Sequence, residues 1–141
     1  MVDLVEWLRE QLDKDERVAR AACEYASAEW HADEGATTVL MWPPEPKVAE
    51  AERRRGLPVV SDQWRGAVVD SAGNAGLVRH ITRHDPARVL REIDAKRQVI
   101  EQAATIADMD EMHVAFRGRD ILKALALPYA DQPGYREEWR P

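Results

Sequence analysis

A helix-dominated α+β fold follows from three features of this 141-residue chain. Two long stretches space their apolar residues at three and four, as one face of a helix requires. A β-prone, proline-interrupted region separates them. The pair Asp85-Pro86 is the strongest helix-start signal in the sequence. Together they predict two long antiparallel helices, a small antiparallel β-element between them, and a short C-terminal helix.

The first long helix is expected over residues 1–30. Asp3 can cap it, with Glu6 three positions on. Leu4, Val5, Leu8, Leu12, Ala19, Ala22 and Ala26 form its apolar stripe. Asp15 also falls in that stripe, and Lys96 takes the equivalent place in the second long helix. Antiparallel packing would bring Asp15 level with Lys96 or Arg97, and a structural pair that fixes register is the reading preferred over an active site.

Residues 31–77 read as a variable region with short strands. Thr37 to Trp42 is one strand candidate, ended by Pro43, Pro44 and Pro46. Lys47 to Arg55 can form a short helix capped by Gly56. Leu57, Val59 and Val60 start a second strand, and Ala67 to Val69 a third. Asp70 to Gly73 reads as a tight turn.

Helices are expected over 78–127. A turn or two at His80 to His84 precedes the long helix opened by Asp85-Pro86, with Val89, Ile93, Ile100, Ala103 and Ala107 on one face. Gly118 breaks the pattern, and Ile121, Leu122, Leu125 and Ala126 mark the short last helix before Pro128. An aromatic tail follows over 128–141. The whole is read as one domain, since this length supports a single core.

Composition excludes several classes of function. With 26 acidic and 20 basic residues the net charge is −6. Nucleic-acid binders need a basic face, and the run Arg53 to Arg55 lies among acids. No nucleic-acid partner is expected. No apolar run approaches the ~20 residues that span a bilayer, so no membrane association is expected. Asp3 and Glu6 stand where a signal peptide would be basic, which predicts a cytoplasmic protein. Cys23 is the one cysteine, read as a small buried hydrophobe.

Candidate sites are few. His80 and His84 lie at i and i+4, a spacing that lets two imidazoles share a zinc ion, with Asp85 as a further ligand. His31 and His113 are the other histidines, but nothing in the sequence brings them near. The ligand set is therefore incomplete, and the expectation is a surface pair beside a cap, with no metal and no cofactor. Gly73-Asn-Ala-Gly76 lacks the Lys-Ser/Thr of a phosphate loop. Asp108, Asp110 and Glu111 lack the spacing of a calcium loop. No nucleophile arrangement exists, so the reading leans away from an enzyme. Tyr129, Tyr135 and Trp139 can either anchor a partner or fold back over the helices, and packing on the protein's own body is preferred because Pro128 aims the tail back.

Three stretches carry a resemblance: Leu4 to Ala22 (LVEWLREQLDKDERVARAA), His80 to Lys96 (HITRHDPARVLREIDAK) and Leu125 to Pro141 (LALPYADQPGYREEWRP). In these the chain resembles family 6221 of the domains of unknown function, found in actinobacteria and their phages. The resemblance implies such an origin and no activity. The functional expectation is a small accessory protein, associated with a phage or mobile element, that binds another protein or itself. The alternative is a metal-dependent hydrolase or nuclease using His80, His84 and Asp85.

Overall fold

The computed structural model describes residues 2–25, 28–32, 38–41, 57–61 and 71–141. Over these the chain is helix-dominated, with one small antiparallel sheet. The helices are α1 (Val2–Tyr25), α2 (Ser71–Arg83), α3 (Pro86–Ala107) and α4 (Met112–Ala126), followed by single 3-10 turns at Leu127–Tyr129 and Glu137–Trp139. The strands are β1 (Trp30–Ala32), β2 (Thr38–Met41) and β3 (Leu57–Ser61). Two compact units result, one of residues 1–17 and 91–141, the other of residues 18–90.

In the first unit, α1 and α3 pack antiparallel. Leu4, Leu8 and Leu12 of α1 and Ile93 and Ile100 of α3 are all buried. The ion pairs give the direction. Arg9 reaches Glu101 at 2.6 Å, whereas Arg97 reaches Asp13 and Glu16, each at 2.6 Å. These exposed pairs contribute little energy, about 0–1 kcal/mol each. The buried stripes supply the driving force.

The same unit corrects the reading of Gly118. It does not break a helix but lies inside α4, which begins at Met112. A β-carbon there would sit 2.5 Å from the Ala107 amide nitrogen and 2.6 Å from the Ala103 carbonyl oxygen. Glycine therefore lets α4 approach the backbone of α3, with Ala115, Leu122 and Ala126 on the same buried face. Asp3 is also corrected: α1 starts at Val2, so Asp3 lies in its first turn, where a carboxylate favours the helix dipole.

In the second unit the sheet order is β1-β2-β3, both pairs antiparallel. Trp30 opposes Met41 and Val39 opposes Val60. The register shifts between Val39 and Leu40, with Leu40 opposite Pro58. Proline is tolerated because β3 is an edge strand. α2 covers the sheet: Val78 and Val39 are buried together, with Trp30, Ala75 and Ile81 packed against them.

Two boundaries here differ from expectation. The first helix ends at Tyr25 rather than near residue 30, because Trp30 to Ala32 pair with β2. Ser71 to Gly73 belong to α2 rather than to a turn, since burial of Val78 beside Ala75 and Ile81 outweighs the poor helix propensity of Gly73 and Gly76. The expected helix over 47–55 and strand over 67–69 lie outside the described residues.

Asp85 caps α3 as its sequence context predicts. The Arg88 amide donates to Asp85 Oδ1 at 2.8 Å, and Pro86 occupies the first helical position. Asp85 Oδ2 lies 3.4 Å from the Trp30 amide at the start of β1. Asp85→Ala is expected to lower stability by about 0.5–2 kcal/mol, and Asp85→Asn to retain most of it. Urea denaturation of both variants checks this.

Candidate protein-binding surface

Within the first unit the tail packs on α1 through Trp7. Its indole Nε1 donates to the Pro133 carbonyl at 3.2 Å. Around its ring stand Tyr129, Tyr135 and Trp139, with centroids at 6.3, 5.8 and 5.2 Å. Trp7 and Trp139 are both buried. Gly134 closes the turn with φ of 88°, and a β-carbon there would meet Trp7 Nε1 at 2.9 Å. Arg136 stacks 5.2 Å from the Trp139 ring and pairs with Asp3 at 3.2 Å. The three tail aromatics thus spend their rings on one another and on α1. Trp7 is a residue that sequence reasoning missed. It lies with Leu4, Gln11 and Asp15 on a second helical stripe, disguised by the polar Gln11, which is itself buried and lies within 3.4 Å of the Trp7 carbonyl.

Asp15 marks a polar contact, but with the tail rather than with Lys96 or Arg97 of α3. It accepts from the Tyr129 hydroxyl at 2.6 Å. Arg97 goes instead to Glu16 and Asp13, and these hydrogen bonds raise its pKa further above its ordinary value, Glu16 most. Lys96 stands 6.0 Å over the Tyr129 ring. Burial and then the Asp15 hydrogen bond push the Tyr129 hydroxyl pKa up. A raised pKa means that the folded state prefers the neutral phenol. Its stabilisation is complete below pH 10, the ordinary value, and is lost as pH rises above it. Melting temperature should therefore fall above pH 10, and less steeply in Tyr129→Phe than in the native chain.

His80 and His84 are both exposed, with ring centroids 4.4 Å apart. His84 Nδ1 lies 2.8 Å from the His80 carbonyl oxygen, leaving Nε2 as its outward nitrogen. Asp85 directs its oxygens at the Arg88 and Trp30 amides. Among the described residues no group of three His, Cys, Asp or Glu side chains could hold a metal ion. His113 lies on α4 beside Glu111, and His31 on β1. Cys23 is a free thiol and only half-buried.

A shallow depression of about 200 Å³ lies between α1, α3 and α4. Glu6, Arg9 and Asp108 rim a floor of Val5, Ala104 and Leu122. Arg9 is already paired with Glu101. The volume is below the roughly 300–1,000 Å³ of typical small-molecule sites, and no nucleophile lines it.

The outward face of α4 differs from these. Met109, Met112 and Phe116 are exposed at 51%, 73% and 51%, and Leu127 at 48%. Met112 and Phe116 are one turn apart and exposed beside the buried row of Ala115, Gly118, Leu122 and Ala126. Single exposed aliphatics such as Val18 and Leu77 are ordinary, but an apolar row on one helix face is a feature of interaction surfaces. Arg119 lies 5.5 Å over the Phe116 ring. The signal was present in sequence as Met109, Met112 and Phe116 at helical spacing, obscured by the acids around them and by Gly118.

The model of a family of unknown function, DUF6221, matches residues 1–141. The chain belongs to that family. The DUF6221 match runs through both compact units and includes the three stretches that carry the resemblance. No curated protein and no solved structure matches this DUF6221 chain. Among its described residues, no helix is long and apolar enough to cross a membrane.

Proposed function

We propose that this DUF6221 protein is a small cytoplasmic accessory protein that works by binding protein, with the outer face of α4 as its contact surface. The observation that carries this reading is the exposed row of Met112 and Phe116, continued by Met109 and Leu127. Methionine adapts to varied surfaces and phenylalanine supplies a rigid anchor, the combination used at protein contacts. The tail aromatics support the same choice indirectly, because their rings are engaged with Trp7. An actinobacterial or actinophage setting belongs to this proposal through the resemblance of the three stretches, as does the reading of residues 1–141 as one domain. A photo-crosslinking residue placed at Met112 or Phe116 tests it in the native host. Protein adducts are expected there and not at Glu10, an exposed polar position on α1. Adducts at Glu10 alone, or none at all, would overturn the reading.

A further inference from the structure

The exposed side of α2 gathers basic residues in an otherwise acidic chain. Residues 71–90 hold three arginines, two histidines and a single acid, Asp85, whereas the whole chain has a net charge of −6. Asp85 turns both carboxylate oxygens to backbone amides, those of Arg88 and Trp30. Val78, with Ala75 and Ile81, faces the sheet. At about 100° per residue, Arg79, His80, Arg83 and His84 then fall together on the opposite side, and all four are exposed. Arg79 and Arg83 have no ion pair among the described residues. Arg88 joins them, its Nη1 donating to the Arg83 carbonyl at 3.0 Å.

Gly76 stands one turn before His80 on the same side. Packing gives no reason for a glycine there: nothing lies within 4 Å of an added β-carbon. Inside a helix glycine costs about 1 kcal/mol against alanine, but where no side chain projects a second backbone can come close. Arg79 and Arg83 are one turn apart, with β-carbons separated by about 5–6 Å. In an extended chain, alternate side chains share one face at a spacing of about 6.5 Å. Carboxylates two residues apart therefore reach both guanidinium forks, each of which matches a carboxylate in shape and charge. A nucleic-acid strand fits less well. α2 contains no Trp, Tyr or Phe to stack a base, and the net negative charge of the chain repels a long polyanion.

We propose that the exposed side of α2 is a second binding site, for an acidic segment of a partner protein that lies extended across Gly76 with its carboxylates on Arg79 and Arg83. His80 and His84 flank it, and in their protonated form their ring nitrogens donate to a carboxylate. The site uses no residue of α4, so it stands or falls apart from the reading of that face. Its charges are exposed, so added salt weakens binding.

Fluorescence anisotropy of labelled hexaglutamate with the purified full chain, at low salt, tests the proposal. Saturable binding is expected, weakened about tenfold in Arg83→Glu, where an attractive charge pair becomes a repulsive one. Arg117→Glu, at an exposed position on α4, makes the same change in net charge and is expected to leave binding as it was. The double variant Arg79→Lys, Arg83→Lys should bind at an intermediate level, since the charges stay and the forks are lost. Gly76→Ala should weaken binding without lowering the melting temperature. Circular dichroism checks that each variant folds, which the exposure of these positions predicts. Absence of binding overturns the proposal, as does an equal loss in Arg117→Glu and Arg83→Glu, or a Gly76→Ala variant that binds as the native chain does. A thymidine oligonucleotide of equal charge that binds more tightly than hexaglutamate, and is released by Arg83→Glu, overturns the acidic segment in favour of nucleic acid.

Discussion

Gly118→Ala is expected to destabilise the protein, although alanine is the better helix former by about 1 kcal/mol. The added methyl would meet the Ala107 nitrogen at 2.5 Å and the Ala103 oxygen at 2.6 Å. Both are backbone atoms of α3 and cannot rotate away. α4 must move, loosening Ala115, Leu122 and Ala126 from their buried positions. Overpacking of this kind costs about 1–3 kcal/mol, and more where backbone must shift. Gly76→Ala supplies the contrast. It is also helical, yet nothing lies within 4 Å of its added carbon, so this variant should gain about 0.5–1 kcal/mol. Denaturant titrations of the two variants should give opposite signs.

Trp7→Ala should produce the larger loss, about 3–5 kcal/mol. The indole touches all three tail aromatics and donates to Pro133. Removing it leaves Trp139 without its neighbour and Gly134 without the contact that its turn is shaped around. For a chain of this size the melting temperature should fall by on the order of 10 °C. Deleting residues 129–141 should act in the same direction by exposing Trp7. A deletion that leaves melting unchanged would contradict the role given to the tail.

Much of the helical frame was legible because its signals are local. Asp85 and Pro86 specify a helix start by their own chemistry, and the 2.8 Å cap follows. The stripes through Leu8, Leu12, Ile93 and Ile100 were visible as spacing and pack as spacing dictates. What was misread depends on contacts distant in sequence. A glycine that ends a helix and one that admits a neighbouring backbone look alike in one sequence, so Gly118 was assigned the wrong role. Asp15 stood out as a carboxylate in an apolar stripe, but its partner came from Tyr129, 114 residues away. The pattern of a single helix cannot show that the tail returns to it. Trp7 was hidden by the same circumstance. The α4 face was obscured because Met112 and Phe116 lie between an acidic stretch and Gly118, which together suggested a break rather than a helix.

Phe116 is the one phenylalanine in the chain, which makes the central claim directly measurable. Labelling with fluorinated phenylalanine places a single fluorine resonance on the α4 face. Exposed in the isolated protein, that resonance should shift and lose its sensitivity to exchange of H2O for D2O in extract of the native host. A resonance that stays solvent-sensitive and unshifted, in concentrated pure protein and in host extract alike, would contradict α4 as the surface on which this protein binds.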